Sequence, residues 1–394
     1  MPANILINRL LPRGLALVNC GFKTKTQLLT LWLKKKSTSE ACPKCAKISS
    51  TVYDHREVKI KECPFLDVPV LLKISKRRFF CKSCRLPFTE GVRNVKKWGR
   101  QTERYCRYVY DLALHYSNLY SAQKKAKCSS GFIYKQYFRE LSLKQRQDNS
   151  IWPESVGIDE HFFGYNKKYG YREFVTVFVD HKKRRFKEVA LGRDSGRLKV
   201  SLSHMDGRDK VKFITMDLSE TYRKFIKEYF PNALRIADKF HVIRLLRLAL
   251  KRYYAAIKNN TNGRLKRLLL ANGSKLPSDI RNALNKGLRM YPDLQQIYIA
   301  KECLHKIYRM PNYQQADEFM TKLTDKLSRS ILPELLTLRK TLLSWRDEIL
   351  AYFQKRLTNG LVEGLNNKAK QIKRRAYGFR SFENYRLKLI TAHI

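Results

Sequence analysis

Three acidic residues far apart in the chain could share one task. Asp159 lies in SVGIDEHFFG and Asp217 in VKFITMDLSE, apolar strand-like runs that each carry a carboxylate. Two like charges at neighbouring strand ends are costly unless a cation lies between them. Magnesium or manganese suits such oxygen ligands, with substrate phosphate oxygens filling its shell. A third carboxylate would complete a two-metal site, which activates a water or a 3′-hydroxyl and stabilises the leaving oxygen. Glu363 can be that third acid. In TNGLVEGLNNKAKQIKRRAYGFR it stands with six basic residues, Lys368, Lys370, Lys373, Arg374, Arg375 and Arg380. The helical spacing makes Leu361, Leu365, Ala369 and Ile372 an apolar stripe. Glu363, Asn366, Asn367 and Lys370 lie on a neighbouring face, where Asn and Lys can grip a polyanion. Taken alone, Glu363 reads as an exposed first-turn glutamate favoured by the helix dipole. The rest of the chain must decide.

Four thiols form a second constellation. Cys42 and Cys45 make one Cys-x2-Cys pair, and Cys81 and Cys84 make the other, 35 residues on. Two such knuckles supply the tetrahedral four-thiolate shell of a closed structural Zn2+ site. Strand-like runs between them predict a zinc ribbon, held together by its metal. Cys63 and His55 are spare ligands in the loop, and Cys63 is read as packing. Lys76, Arg77 and Arg78 beside the second knuckle are placed to meet phosphate.

The partner follows from charge. Lys plus Arg is 81 and Asp plus Glu 34, a net +47 spread along the 394 residues. Such charge repels itself in a free protein and fits against nucleic acid. The other reading is a highly soluble basic protein or one bound to ribosomes. No apolar run reaches the ~18 residues of a membrane span. The N-terminal run lacks the order of a signal peptide, so a cytoplasmic protein with unpaired cysteines is expected. The 22 tyrosines show no Arg/His set of a tyrosine recombinase.

Elements must position these groups. Residues 1–38 are expected as an N-terminal helical segment, 39–98 as the zinc ribbon and 99–145 as a helix-turn-helix. In that last domain Thr102 and Ser129 or Ser130 are N-caps, and Lys135 and Arg139 face DNA. Any small helical bundle would look similar. KQRQDNSIWP, residues 144–153, reads as a linker. From 154 to 394 the order is three strands, helix, strand, helix, strand, a ribonuclease H-like mixed sheet in the α/β class. An all-helical insertion of five to seven helices is expected over about 243–355, with Trp345 read as core rather than as a base-stacking residue.

CPKC, RRFFCKSC, GIDE, TMDLSETY, ADKFHVI and TNGLVEGLNNKAKQIKRRAYGFRSFENYRL together resemble the L3 family of insertion-sequence transposases, from about residue 20 to 394. That resemblance implies a DDE-type catalytic domain with the triad Asp159, Asp217 and Glu363. It implies Lys370 as the basic residue seven positions after the glutamate, and zinc on Cys42, Cys45, Cys81 and Cys84. Asp238 in ADKFHVI competes with Asp217 for the second place. Strand position favours Asp217, leaving Asp238, His241 and Asn367 in support. The implied protein binds the double-stranded terminal repeats of its element. It pairs two ends as a homo-oligomer of at least two protomers, then cuts and joins DNA with Mg2+ or Mn2+. Two rivals remain: a zinc-containing DNA-binding protein with an inactive catalytic domain, and a nuclease of the same fold that cannot join.

Overall fold

The computed structural model describes residues 11–146, 151–166, 170–257 and 263–392. Contacts divide the chain into two units, Met1–Ser142 and Leu143–Ile394.

Alternating apolar side chains build the first sheet. Strands β1 (Leu15–Lys23), β2 (Leu28–Lys35), β5 (Val52–Phe65), β6 (Val68–Cys81) and β7 (Leu86–Thr89) form it, in the order β1-β2-β6-β5 with β7 on β6. Strands β5 and β6 make a long hairpin turned by Leu66 and Asp67, both left-handed at φ +46° and +63°. Leu15, Leu31, Leu33, Ile60, Leu72 and Ile74 share its core. The expected helical segment over 1–38 is therefore corrected. Residues 15–35 are two strands, because Leu31 and Leu33 point inward at a period of two. Residues 1–10 lie outside the described set.

Helices α1 (Glu103–His115), α2 (Leu119–Ala126) and α3 (Ser130–Arg146) follow. Thr102 caps α1, its hydroxyl accepting from the Tyr105 N–H at 3.1 Å. Ser129 caps α3 through the Phe132 N–H at 3.3 Å. Lys127, left-handed at φ +51°, turns α2 toward α3. Rings of Tyr105 and Phe132 and of Tyr110 and Tyr137 join α1 to α3. Helix α3 runs to Arg146, into the expected linker, and residues 147–150 of that linker lie outside the described set. Its end is no linker either. Trp152 is buried against Phe178 and Phe230, an apolar anchor that the polar composition hid.

The second sheet holds β8 (Ser155–Asn166), β9 (Tyr171–Asp180), β10 (Arg185–Leu191), β11 (Phe213–Met216) and β12 (Leu234–Ala237), in the order β10-β9-β8-β11-β12. The first three are antiparallel neighbours, and β8, β11 and β12 run parallel. Helices α4 (Ser195–Ser201) and α5 (Glu220–Tyr229) supply the crossovers. Helix α6 (Lys239–Arg244) follows β12. Eight further helices are described between 247 and 355: α7 (Arg247–Ile257), α8 (Gly263–Leu270), α9 (Ser278–Leu288), α10 (Pro292–Ile307), α11 (Tyr313–Ser328), α12 (Pro333–Ser344), α13 (Arg346–Leu350) and α14 (Tyr352–Lys355). The excess over five to seven comes from breaks at Trp345 and Ala351, where no Pro or Gly marks the sequence.

Two cores hold this unit. On one, Val156, Ile158 and Ile214 pack with α4, α5 and the helical insertion, and Trp345, 6% exposed, belongs to it. Buried Glu348 of α13 accepts from Arg223 at 2.8 and 3.0 Å and from Arg235 at 3.2 Å, tying the insertion to α5 and β12. On the other, Val175, Val177 and Val189 pack against α15 (Gly360–Arg375) and α16 (Phe382–Ile390). Glu188 of β10 and Arg386 of α16 form a buried double hydrogen bond at 2.6 and 2.5 Å there.

Candidate active site and zinc centre

Parallel register aligns three acids. Thr215 pairs with Gly157, so Asp217 and Asp159 each stand two residues beyond that pair. Met216 pairs with Ala237, so Asp217 and Asp238 each stand one residue beyond. The three carboxylates thus lie at one level on adjacent strands, with Asp217 in the middle.

Their surroundings differ. Asp238 is 3% exposed and caps α6 through the His241 N–H at 3.2 Å. Its other oxygen accepts the Asn359 N–H at 3.2 Å. Asp217 is more open, its side chain 26% exposed. His241 Nδ1 lies 3.0 Å from Asp217 and 2.9 Å from Asp238. Hydrogen bonds to Asp217 and then Asp238 raise this imidazole to about 10, so it is the cation between them. Asp159 is raised above the usual carboxylate range by burial and by the Asp217 charge, against the pull of Asn366 and Lys370.

Helix α15 lies along β8. Val362 covers Gly157, where an added Cβ would meet Val362 Cγ2 at 2.2 Å. Asn366, 2% exposed, donates to Asp159 Oδ2 at 2.5 Å and to the Glu160 carbonyl at 3.0 Å. Asn359, just before the helix, donates to the Ile158 carbonyl at 3.0 Å and accepts from Thr215 at 2.6 Å. It therefore joins β8, β11 and Asp238 to the start of α15.

The expected triad is only partly drawn together. Asp217, Asp238 and His241 form one group with ligand atoms within 4.8 Å of one another, which Asp159 and Glu363 do not join. Glu363 is exposed, 3.9 Å from Arg244. Asn367, Lys370, Arg374, Arg375 and Arg380 are exposed and Lys368 is half-buried. Lys373 donates to the Phe162 carbonyl at 2.9 Å and lies over the Phe162 ring. The sequence places Asn366 with Glu363, Asn367 and Lys370 on the face neighbouring the apolar stripe, gripping a polyanion. The structure turns it inward, and the signal was there: a polar residue beside Leu365 in the apolar stripe. Asn359 carried no comparable signal, since its partners come from distant strands.

In the first unit the knuckles match. Cys42 follows a short strand, β3 (Glu40–Ala41), and β4 (Ile48–Ser49) follows Cys45. Cys81 ends β6, and β7 begins at Leu86. Ala46 and Arg85, each one residue after a knuckle, are left-handed at φ +59° and +50°. Sulfur separations are 4.0 Å for Cys42–Cys84 and 3.6 Å for Cys45–Cys81. A tetrahedral zinc–thiolate shell requires about 3.8 Å. Backbone N–H groups of Lys44 and Cys45 lower the Cys42 thiol to about 7, while its hydrogen bond to Cys45, burial and the other sulfurs push Cys84 up to about 12. Four such sulfurs ionise together only around a cation, so the donor set fits Zn2+. Cys63 and His55 stand outside this group.

The basic residues beside it are engaged internally. Arg77 pairs with buried Glu90 at 2.8 Å and Arg78 with Asp54 at 2.7 Å. Burial lowers Lys76 below the usual lysine range. Lys135 and Arg139 on α3 are exposed. Among the described residues, no helix is long and apolar enough to cross a membrane.

A four-cysteine ribbon together with a mixed sheet whose parallel strands carry or lead into aspartates defines the class, a zinc-ribbon protein with an acidic α/β domain. Comparison with known proteins agrees. Residues 156–389 match the ISL3 family of DDE transposases and residues 38–84 match the zinc finger of the IS204/IS1001/IS1096/IS1165 transposases, so the chain belongs to the ISL3 transposase family. It is 23% identical over 376 residues to the transposase for insertion sequence element IS1001 of Bordetella parapertussis, covering 92% of this chain and 91% of that one. The transposase for IS1557 of Mycobacterium tuberculosis is 23% identical over 258 residues, 57% of each chain. A Lactococcus lactis protein described as an ATP-dependent protease is 33% identical over 112 residues, 28% of this chain and 31% of that one.

Proposed function

We propose that this chain cuts and joins DNA at the terminal inverted repeats of its insertion sequence, using a ribonuclease H-like domain and a pair of divalent ions. The observation that carries the reading is the row of Asp159, Asp217 and Asp238 on adjacent parallel strands, beside the helix that bears Glu363 and Lys370. The strand order supports the ribonuclease H-like assignment.

Magnesium or manganese held by Asp159, Asp217 and Glu363 would neutralise the phosphate and sharpen the attacking oxygen. The chain's own groups do the rest. Asn366 fixes the Asp159 carboxylate. Asp238 acts in support, because a helix cap and Asn359 already occupy its oxygens. His241 orients Asp217. Lys370 and Asn367 face outward to meet the DNA backbone, with Lys368, Lys373, Arg374, Arg375 and Arg380 extending that contact. In the first unit, α2 and α3 act as a helix-turn-helix, with Lys135 and Arg139 toward DNA. Arg77 and Arg78 brace the ribbon and meet phosphate only by releasing Glu90 and Asp54. Two protomers hold two ends, in the cytoplasm where the chromosome lies.

The test is metal-dependent nicking of an end-containing duplex. Glu363→Gln should abolish nicking and leave duplex binding intact. Unchanged nicking in that variant removes the site assignment, and a strand-transfer assay with precut ends separates a transposase from a nuclease.

A further inference from the structure

Helix α15 stops at a left-handed residue, as α2 does at Lys127. The Tyr377 N–H donates to the Arg374 carbonyl at 3.0 Å and the Gly378 N–H to the Lys373 carbonyl at 2.9 Å. This is the double hydrogen bond of a Schellman stop, whose left-handed residue is commonly glycine. Here that residue is Tyr377, at φ +54°, although glycine follows it. A side chain in this conformation is strained against its own carbonyl. Burial does not offset the strain, because Tyr377 is 93% exposed. Nearly all of the ring is left to solvent, where it is available to a ligand.

The surroundings say what it would meet. Exposed Arg374, Arg375 and Arg380 flank it, so a flat apolar face stands among cations. Cations hold phosphates and a ring stacks on a base, the combination that binds single-stranded nucleic acid. The interior of a duplex offers no free base face. Tyr377 lies 14 residues beyond Glu363, about 20 Å along the helix. We infer that Tyr377 is a stacking platform for an unpaired base in DNA flanking the cut strand. This rests on the proposed DNA-cutting function.

The full-length protein is titrated with a blunt duplex and with the same duplex carrying a short thymine flap that contains one 2-aminopurine. The wild type should prefer the flap and quench the 2-aminopurine. Tyr377→Ala should lose the quenching and bind the flapped DNA about tenfold more weakly. Tyr377→Phe and Tyr377→Trp should retain both. Tyr377→Gly is decisive, because it relieves the backbone. It should melt at the same or a higher temperature and still lose the flap preference. Retained preference in Tyr377→Gly, or equal wild-type binding of the two DNAs with Glu363-dependent nicking intact, overturns this inference alone. A wild type that binds neither DNA overturns the proposed function as well.

Discussion

Asn366 shows how one side chain can hold a buried carboxylate, here the proposed metal ligand Asp159. Its amide nitrogen holds Asp159, and its oxygen is buried without a hydrogen-bond partner among the described residues. His161, also buried, has the same deficit at Nδ1 and meets the Tyr385 hydroxyl at 2.7 Å through Nε2. Burial lowers this imidazole to about 4, so it is neutral. Asn366→Ala should therefore free Asp159 to rotate. Groups that orient a metal ligand contribute about 10- to 100-fold. Nicking should fall by that factor, with duplex affinity unchanged, and wild-type nicking in the variant would end this account. Asp159, Asp217 and Glu363 were readable as acids in strand-like and helical contexts. The choice between Asp217 and Asp238 was not, because both end strands of the same length and follow apolar runs.

At the scale of elements, the contact between β8 and α15 matters most. Gly157 is needed for close approach, since an added Cβ would lie 2.2 Å from Val362 Cγ2. Gly157→Ala should push α15 away, lower stability by about 1–3 kcal/mol and slow nicking. Val362→Ala removes the nearest methyl but leaves His181 Nε2 at 2.9 Å and Thr215 Oγ1 at 3.1 Å from that Cβ, so the double variant should recover only part of both losses. Additive losses in denaturant and nicking assays would refute the coupling. The ribbon offers a separate test. Metal binding and folding are linked in small thiolate sites. A strong chelator should release one zinc per chain, measured with a colorimetric indicator, and unfold the hairpin by circular dichroism. Cys84→Ser should do the same without chelator. The two Cys-x2-Cys pairs made this element legible. Strands β1 and β2 pair with each other as sequence neighbours, but they were missed because β2 is fixed in the sheet by parallel pairing with β6, more than 30 residues away in sequence.

For the whole molecule, the net charge of +47 sets the binding regime. Much of its affinity for DNA should come from released counterions. A contact with six to ten phosphates loses about 10³–10⁵ in affinity between 50 and 200 mM salt. Anisotropy titrations of the full chain on duplex DNA should show that steep dependence. A flat response would contradict a phosphate-bound protein.

Local chemistry alone pointed to zinc, a nucleic-acid partner, the strand and helix order of the second unit, and the acids worth testing. These follow from thiol spacing, net charge and periodicity, which need no distant neighbour. Which acids converge, that Asn366 turns inward, and that Asn359 joins three strands depend on parallel register and on α15 packing over Gly157. Those relations exist only after strands separated by tens to hundreds of residues have met, so no window of sequence contains them.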